Sequence, residues 1–194
     1  MAPRLSASAR REQLLDVALE VFARQGYHGT SMNDVADAAG VTKPVLYQHF
    51  ESKRELYLAL LESVGSRLIT AISKAAGEAA DGKAQTERGF GAFFQWVHDD
   101  RDAFRLVFGS GRRDEEFAEA VAKVEDASAE AIAPLIAADI DLEHQRTLAY
   151  GLVGLAEGVS RRLLSDDADF DPEVVARQVS DLAWAGLRAL GRSA

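Results

Sequence analysis

Residues 29–61 read GTSMNDVADAAGVTKPVLYQHFESKRELYLALL, and their pattern decides the fold. Ser31 stands where a helix cap belongs, and Asp34 three residues later favours the positive end of a helix dipole. The spacing predicts a short helix over 33–39, with Val35, Ala36 and Ala39 turned inward. Gly40 stops it, Val41 is expected as a buried turn residue, and Thr42 caps a second short helix over 43–50. Pro44 falls in that helix's first turn, where its missing N–H leaves no hydrogen bond unmade. Leu46 and Phe50 are four residues apart and share its inner face. Ser52 then caps a longer helix that carries Leu56, Leu60, Leu61, Val64 and Leu68 to about residue 76.

Two short helices around a glycine turn have the proportions of a helix-turn-helix, whose first helix crosses the DNA backbone while the second enters the major groove. Such a unit needs apolar inner faces that lock the helix angle. It also needs a polar, unobstructed outer face on the second helix. Val35, Ala36, Ala39, Val41, Leu46 and Phe50 supply the first condition, and Lys43, Pro44, Tyr47, Gln48 and His49 the second. A helical hairpin of other purpose has no reason to expose lysine, tyrosine, glutamine and histidine together on so short a helix.

These residues resemble the DNA-binding domain of TetR-family regulators. The likeness is carried by Gly40-Val41, Leu46-Tyr47-Gln48-His49-Phe50, Ser52-Lys53 and Leu56, and it spans residues 10–62. It implies an all-α homodimer with a three-helix, N-terminal helix-turn-helix domain (1–55). The remainder (56–194) becomes a helical domain for effector binding and dimerisation. By the same resemblance Tyr47 and His49 reach phosphates, and Lys53 presents its ammonium beside a helix N-terminus that also attracts phosphate. Thr30 or Ser31, with Thr42, adds contacts to the same strand. Base reading falls to Lys43, which can donate to guanine, to Pro44, which can pack on a thymine methyl, and to Gln48, which can pair with adenine; Asn33 is a weaker candidate. The Lys-Pro pair at 43–44 replaces the small residues common there, which alters the operator sequence rather than the mode of binding.

Upstream, RREQLLDVALEVFARQ over 10–25 places Leu14, Leu15, Val17, Ala18, Val21 and Phe22 on one helical stripe, stopped by Gly26. Downstream, a polar linker over 77–83 precedes helices expected over 86–100, 103–109, 114–138, 142–164 and 172–190. Nine helices result, which fits the family. Pro134 should kink the third of these later helices or end it early. The helix over 142–164 holds Gly151, Gly154 and Gly158 on one side, each costing about 1 kcal/mol relative to alanine. Close approach of another helix would offset that cost. The resemblance implies that the last two helices of each protomer form a four-helix interface through Gly151, Gly154, Leu155, Gly158, Val179, Leu182 and Gly186. Packing within one chain stays open as the alternative for one or two of the glycines. Two-fold symmetry then sets two recognition helices about 34 Å apart on a palindromic operator in double-stranded DNA.

Phe90, Phe93, Phe94, Trp96, Phe104, Phe108 and Phe117 form an aromatic concentration, and such groups are core more often than pocket. Family members hold an effector cavity among the corresponding helices, so the resemblance implies a small apolar or amphipathic effector here. Arg105, Arg112, Arg161 or Arg162 would meet an anionic head group. The run FRLVFGSG (104–111) and the glycine-bearing helix resemble lipid-responsive members, which points to a fatty acyl-CoA. Effector binding is expected to release a repressor from its operator, with activation open as the alternative.

Composition agrees with this reading and excludes others. The net charge is −9, yet seven basic and seven acidic residues balance over 1–55, so the acidic excess falls on 56–194. A neutral head with placed cations on an acidic body suits contact with DNA at one end. The chain has no cysteine, which removes disulfides, thiolate metal sites and cysteine nucleophiles. His98-Asp99-Asp100 and Asp114-Glu115-Glu116 border expected helices and read as solvated charge runs, and Gly109-Ser110-Gly111 reads as a loop. An enzyme, a cofactor and a metal are therefore not expected. The expected apolar stretches are broken by charge before they could cross a bilayer, so a cytoplasmic protein without a membrane partner is expected.

Overall fold

The computed structural model describes residues 6–110, 115–136, 138–165 and 169–190. Among them the chain forms helices and no strand. The helices are α1 (Ala7–Gly29), α2 (Met32–Ala38), α3 (Lys43–Tyr47), α4 (Lys53–Gly77), α5 (Gly82–Asp99), α6 (Arg101–Phe104), α7 (Ala118–Ile132), α8 (Leu142–Ser165) and α9 (Pro172–Leu190). Among the described residues the all-α class and the nine α-helices expected from the sequence are present.

Local chemistry explains the boundaries. α1 starts at Ser6, whose hydroxyl accepts from the Ala9 N–H at 3.2 Å. It is kinked at Gly26, where φ 70° and ψ 168° suit glycine alone, so the expected stop is a kink followed by one further turn. α2 ends in a Schellman motif: Gly40 takes φ 63°, Val41 N–H donates to Ala36 O at 3.0 Å, and Gly40 N–H donates to Asp37 O at 3.1 Å. Pro134 does not kink α7; the helix ends before it, and Ala133–Leu135 form a 3-10 turn. The expected glycine loop after Phe108 is instead partly helical, since Arg105–Ser110 continue α6 with π-type geometry. Gly111 and Asp114 lie outside the described residues.

Two compact units result, and they are not produced by a single cut in the chain. The first joins residues up to Val64 with Asp102–Ala120. Its core holds Leu14, Ala18, Phe22, Val35, Leu46, Phe50, Leu56, Leu60, Phe104 and Phe117. Phe117 lies 4.5 Å, centroid to centroid, from both Tyr27 and Tyr57. The second unit joins Gly65–Arg101 with the chain from Val121 onward. There α5 packs on α9 and α8, with Phe90, Phe94 and Val97 buried. Gly65 of α4 admits Val124 of α7 so closely that an added Cβ would lie 2.8 Å from Val124 Cγ1. By length and hydropathy, Lys53–Gly77 is one helix that qualifies as a membrane span, contrary to the expectation that charges interrupt every apolar stretch. Its Leu56, Leu60, Leu61, Val64 and Leu68 are buried, so the apolarity belongs to a core helix.

Candidate nucleic-acid interface

The first unit presents α2 and α3 as a helix-turn-helix. Ser31 and Asp34 close a capping box: the Asp34 N–H donates to the Ser31 hydroxyl at 3.2 Å, and the Ser31 N–H donates to Asp34 Oδ2 at 2.7 Å. The Ser31 hydroxyl and then its backbone N–H hold the Asp34 carboxyl below the usual carboxylate range. Beneath the turn, Leu46 and Phe50 are each 0% exposed, and Val35 and Ala36 are buried with them. Val41 is only half-buried, not the buried turn residue expected.

The outer face of α3 is open. Lys43, Pro44, Tyr47 and Gln48 are all exposed, Tyr47 by 42% despite its size. Lys43 Nζ sits 5.8 Å from the Tyr47 ring centroid, so a cation and an amphipathic ring share that surface. The regular helix ends at Tyr47, but Gln48, His49 and Phe50 N–H groups still donate to Pro44 O, Leu46 O and Leu46 O at 3.0–3.1 Å. His49 is half-buried on this turn. Thr42 precedes α3 with an exposed side chain that makes no cap hydrogen bond, leaving its hydroxyl available. Ser31 and Asn33 are exposed at the start of α2.

Two of the expected contact residues are used inside the protein. Thr30 is 2% exposed, and its hydroxyl donates to Gly26 O at 2.8 Å. The Lys53 ammonium donates to Tyr27 O and Thr30 O, each at 2.8 Å, and lies 4.4 Å from the Tyr27 ring centroid. The lysine thus adds a long-range donor at the end of α1, where the Tyr27 carbonyl also accepts from the Thr30 N–H at 3.4 Å. Such long-range use of a lysine has no local sequence signal.

The aromatic group is divided between the two units. Phe90, Phe93, Phe94 and Trp96 belong to the second unit, with Phe93 and Phe94 edge to face at 5.3 Å. Phe104, Phe108 and Phe117 belong to the first, where all three are buried. Arg105 pairs with Asp102 at 3.8 Å, and Arg161 with the buried Glu157 at 3.3 Å. Arg162 is exposed on α8, and Arg112 lies outside the described residues. A shallow apolar depression is lined by Ile69, Ile72 and Ser73 of α4 and by Ser128, Ala131 and Ile132 of α7. It was not expected from sequence.

The glycines of α8 face outward. An added Cβ at Gly151, Gly154, Gly158 or Gly186 would meet nothing within 4 Å, so packing within the chain does not explain them. Leu182 is 64% exposed on the same kind of surface of α9, and Leu155 is half-buried. Val179 is instead 6% exposed and serves the unit's own core.

Residues 14–60 match the family described as bacterial regulatory proteins, tetR family. Along nearly its whole length the chain is similar to the HTH-type transcriptional activator FasR of Mycolicibacterium smegmatis. The two are 37% identical over 187 residues, covering 95% of this chain and 85% of that protein. The chain belongs to the TetR family. Among solved structures it resembles a TetR-like transcriptional regulator from Rhodococcus sp. RHA1, with a TM-score of 0.75 at 28% identity, covering 95% of this chain and 99% of that one. It shares its fold with the regulator FadR from Bacillus subtilis, solved in complex with stearoyl-CoA. That TM-score is 0.76 at 18% identity, over 89% and 96% of the two chains. The relatives are DNA-binding transcriptional regulators and not enzymes, and this chain is a transcriptional regulator of the same family.

Proposed function

We propose that the chain is a ligand-responsive regulator that grips a palindromic operator as a homodimer. One observation carries the DNA reading: a buried Leu46 and Phe50 hold α3 so that Lys43, Pro44, Tyr47 and Gln48 stand together on an open surface. In this proposal residues 1–55 contact DNA and 56–194 bind the effector and dimerise. Tyr47, His49, Ser31 and Thr42 position the protein on phosphates, while Lys43, Pro44 and Gln48, with a lesser part for Asn33, read bases. Thr30 and Lys53 support that surface from behind. The exposed Gly151, Gly154, Gly158, Leu182 and Gly186, with Leu155 beside them, make the dimer face.

The effector is a fatty acyl-CoA or a ligand of like chemistry, held in the second unit near Phe90, Phe93, Phe94 and Trp96 and the Ile69–Ile72 depression. Support comes from the apolar character of these residues and from the fold shared with a FadR bound to stearoyl-CoA. The depression is too shallow to enclose a ligand as it stands, so binding requires α4, α5 and α7 to part. Occupancy then shifts the population toward a state with weaker operator affinity, which releases a repressor. A second reading is favoured by the name of the 37% identical relative, an activator: the same DNA contact then promotes transcription, and the effector modulates it. The test is fluorescence anisotropy on DNA from upstream of the protein's own gene, with and without long-chain acyl-CoA, followed by a promoter-reporter assay. Operator binding indifferent to every acyl-CoA would overturn the effector assignment. The reporter's direction decides between repression and activation.

A further inference from the structure

The cations of the first unit fall into two kinds. Arg24 lies 3.8 Å from Glu20, Arg54 3.1 Å from Glu116 and Arg105 3.8 Å from Asp102. Arg10 donates to Gln13 Oε1 at 2.6 Å, and Lys53 is held by two carbonyls. Arg11 and Lys43 are different. Among the described residues each rides on an aromatic ring and donates to no side chain or carbonyl, unlike Lys53, which lies over Tyr27 but also donates to two carbonyls. Lys43 stands on α3 itself. Arg11 comes from the start of α1, and nothing in its local sequence ties it to DNA.

Its position does. The Arg11 guanidinium carbon lies 4.6 Å from the centroid of the Phe50 ring. Phe50 is fully buried, so the ring is a fixed platform. It closes the turn that carries Gln48 and His49, and the His49 ring is 6.5 Å from it. A guanidinium seated on a ring is weakly hydrated and keeps in-plane N–H donors for an anion, the geometry that suits a phosphate. Arg11 is half-buried, so part of its side chain remains open to solvent.

We propose that Arg11 is a DNA-backbone contact, a cation carried on Phe50 to the phosphate next to the one met by His49. The proposal rests on α2–α3 being the DNA interface and adds a residue outside that motif. Phe50 then has two tasks, since its inner side locks α3 and its ring face seats the arginine.

The test is a salt titration of the full-length protein by fluorescence anisotropy, on an operator duplex and on an unrelated duplex, between about 50 and 200 mM salt. Arg11→Met keeps an aliphatic stem over Phe50 and removes the charge. Its slope of log affinity against log salt should be shallower by about 0.9 for each protomer bound, on both duplexes alike. Arg11→Lys should keep the parent slope, and so should Arg24→Gln, which alters a paired arginine of the same helix. If Arg11→Met does not fold, Arg11→Gln, which also lacks the charge, makes the same comparison. A charge-free variant with the parent's slope on both duplexes would overturn the assignment to Arg11 alone. Salt-indifferent or absent binding by the parent would instead overturn the DNA interface on which it rests.

Discussion

Replacing Gly151, Gly154 and Gly158 together by alanine separates a free helix surface from a buried one by the sign of its effect. In a single chain all three positions have room, because an added Cβ meets nothing within 4 Å at any of them. Alanine is better than glycine in a helix by about 1 kcal/mol, so three substitutions would stabilise α8 by about 3 kcal/mol if that surface faced water. For a domain of this size that raises Tm by roughly 6–12 °C. In a dimer that packs helices on this side, the same methyl groups must fit between two backbones. Overpacking costs about 1–3 kcal/mol per site, and symmetry repeats each site on the partner. The helix gain is then outweighed, the dimer weakens, and Tm becomes more dependent on concentration. Sedimentation equilibrium and thermal melts over a range of protein concentration read both quantities. A triple variant that melts higher and dimerises as tightly as the parent would refute the assignment of this face to the interface.

Lys43→Ala should cost about 1–3 kcal/mol at the preferred operator while changing its affinity for unrelated DNA much less, which binding to operators with single base changes would show. Lys53→Met removes the ammonium that donates to the Tyr27 and Thr30 carbonyls, each at 2.8 Å, and should lower stability by about 1.5–3 kcal/mol in denaturant melts, with the salt slope of DNA binding kept. Gly65→Ala sets a Cβ 2.8 Å from Val124 Cγ1 and should destabilise by about 1–3 kcal/mol, with Val124→Ala restoring part of the loss in thermal melts. Ser31→Ala removes the cap of α2 and should cost about 1 kcal/mol at neutral pH. Because Asp34's carboxyl is lowered by Ser31, the box's contribution is complete above the unfolded carboxylate range and fades as pH falls through the lower folded value. The gap in Tm between parent and Ser31→Ala should therefore narrow in acid.

Local rules reached the helices because each boundary here has a short-range cause. Ser31, Gly40 and Ser52 act within four residues of themselves, so the capping box, the Schellman turn and the start of α4 were legible. Pro134 was legible as a break but not as the 3-10 turn it makes, since either outcome satisfies a proline in that register. The return of Asp102–Ala120 to the first unit was not legible at all. It rests on Phe117 lying 4.5 Å from Tyr27 and Tyr57, contacts that span long stretches of chain and leave no periodic trace in sequence. Seven aromatic residues close together in the chain therefore looked like one wall although they serve two cores.

The interface shows the same limit in electrostatic form. A sequence supplies charges but not the partners that use them, and the family pattern marks Lys53 as readily as Tyr47. Geometry divides them. An ammonium that donates to two carbonyls must give up those bonds before it can meet a phosphate, and each bond to a charged group is worth about 1.5–3 kcal/mol. A guanidinium over a ring gives up nothing, because the ring uses its face while DNA would use its edge. The cation best placed to release counterions is thus the one whose only partner is aromatic. By that criterion Arg11 of α1 and Lys43 of α3 are the two cations proposed for one binding surface, while Lys53, bonded to the Tyr27 and Thr30 carbonyls, is assigned to the frame that holds it.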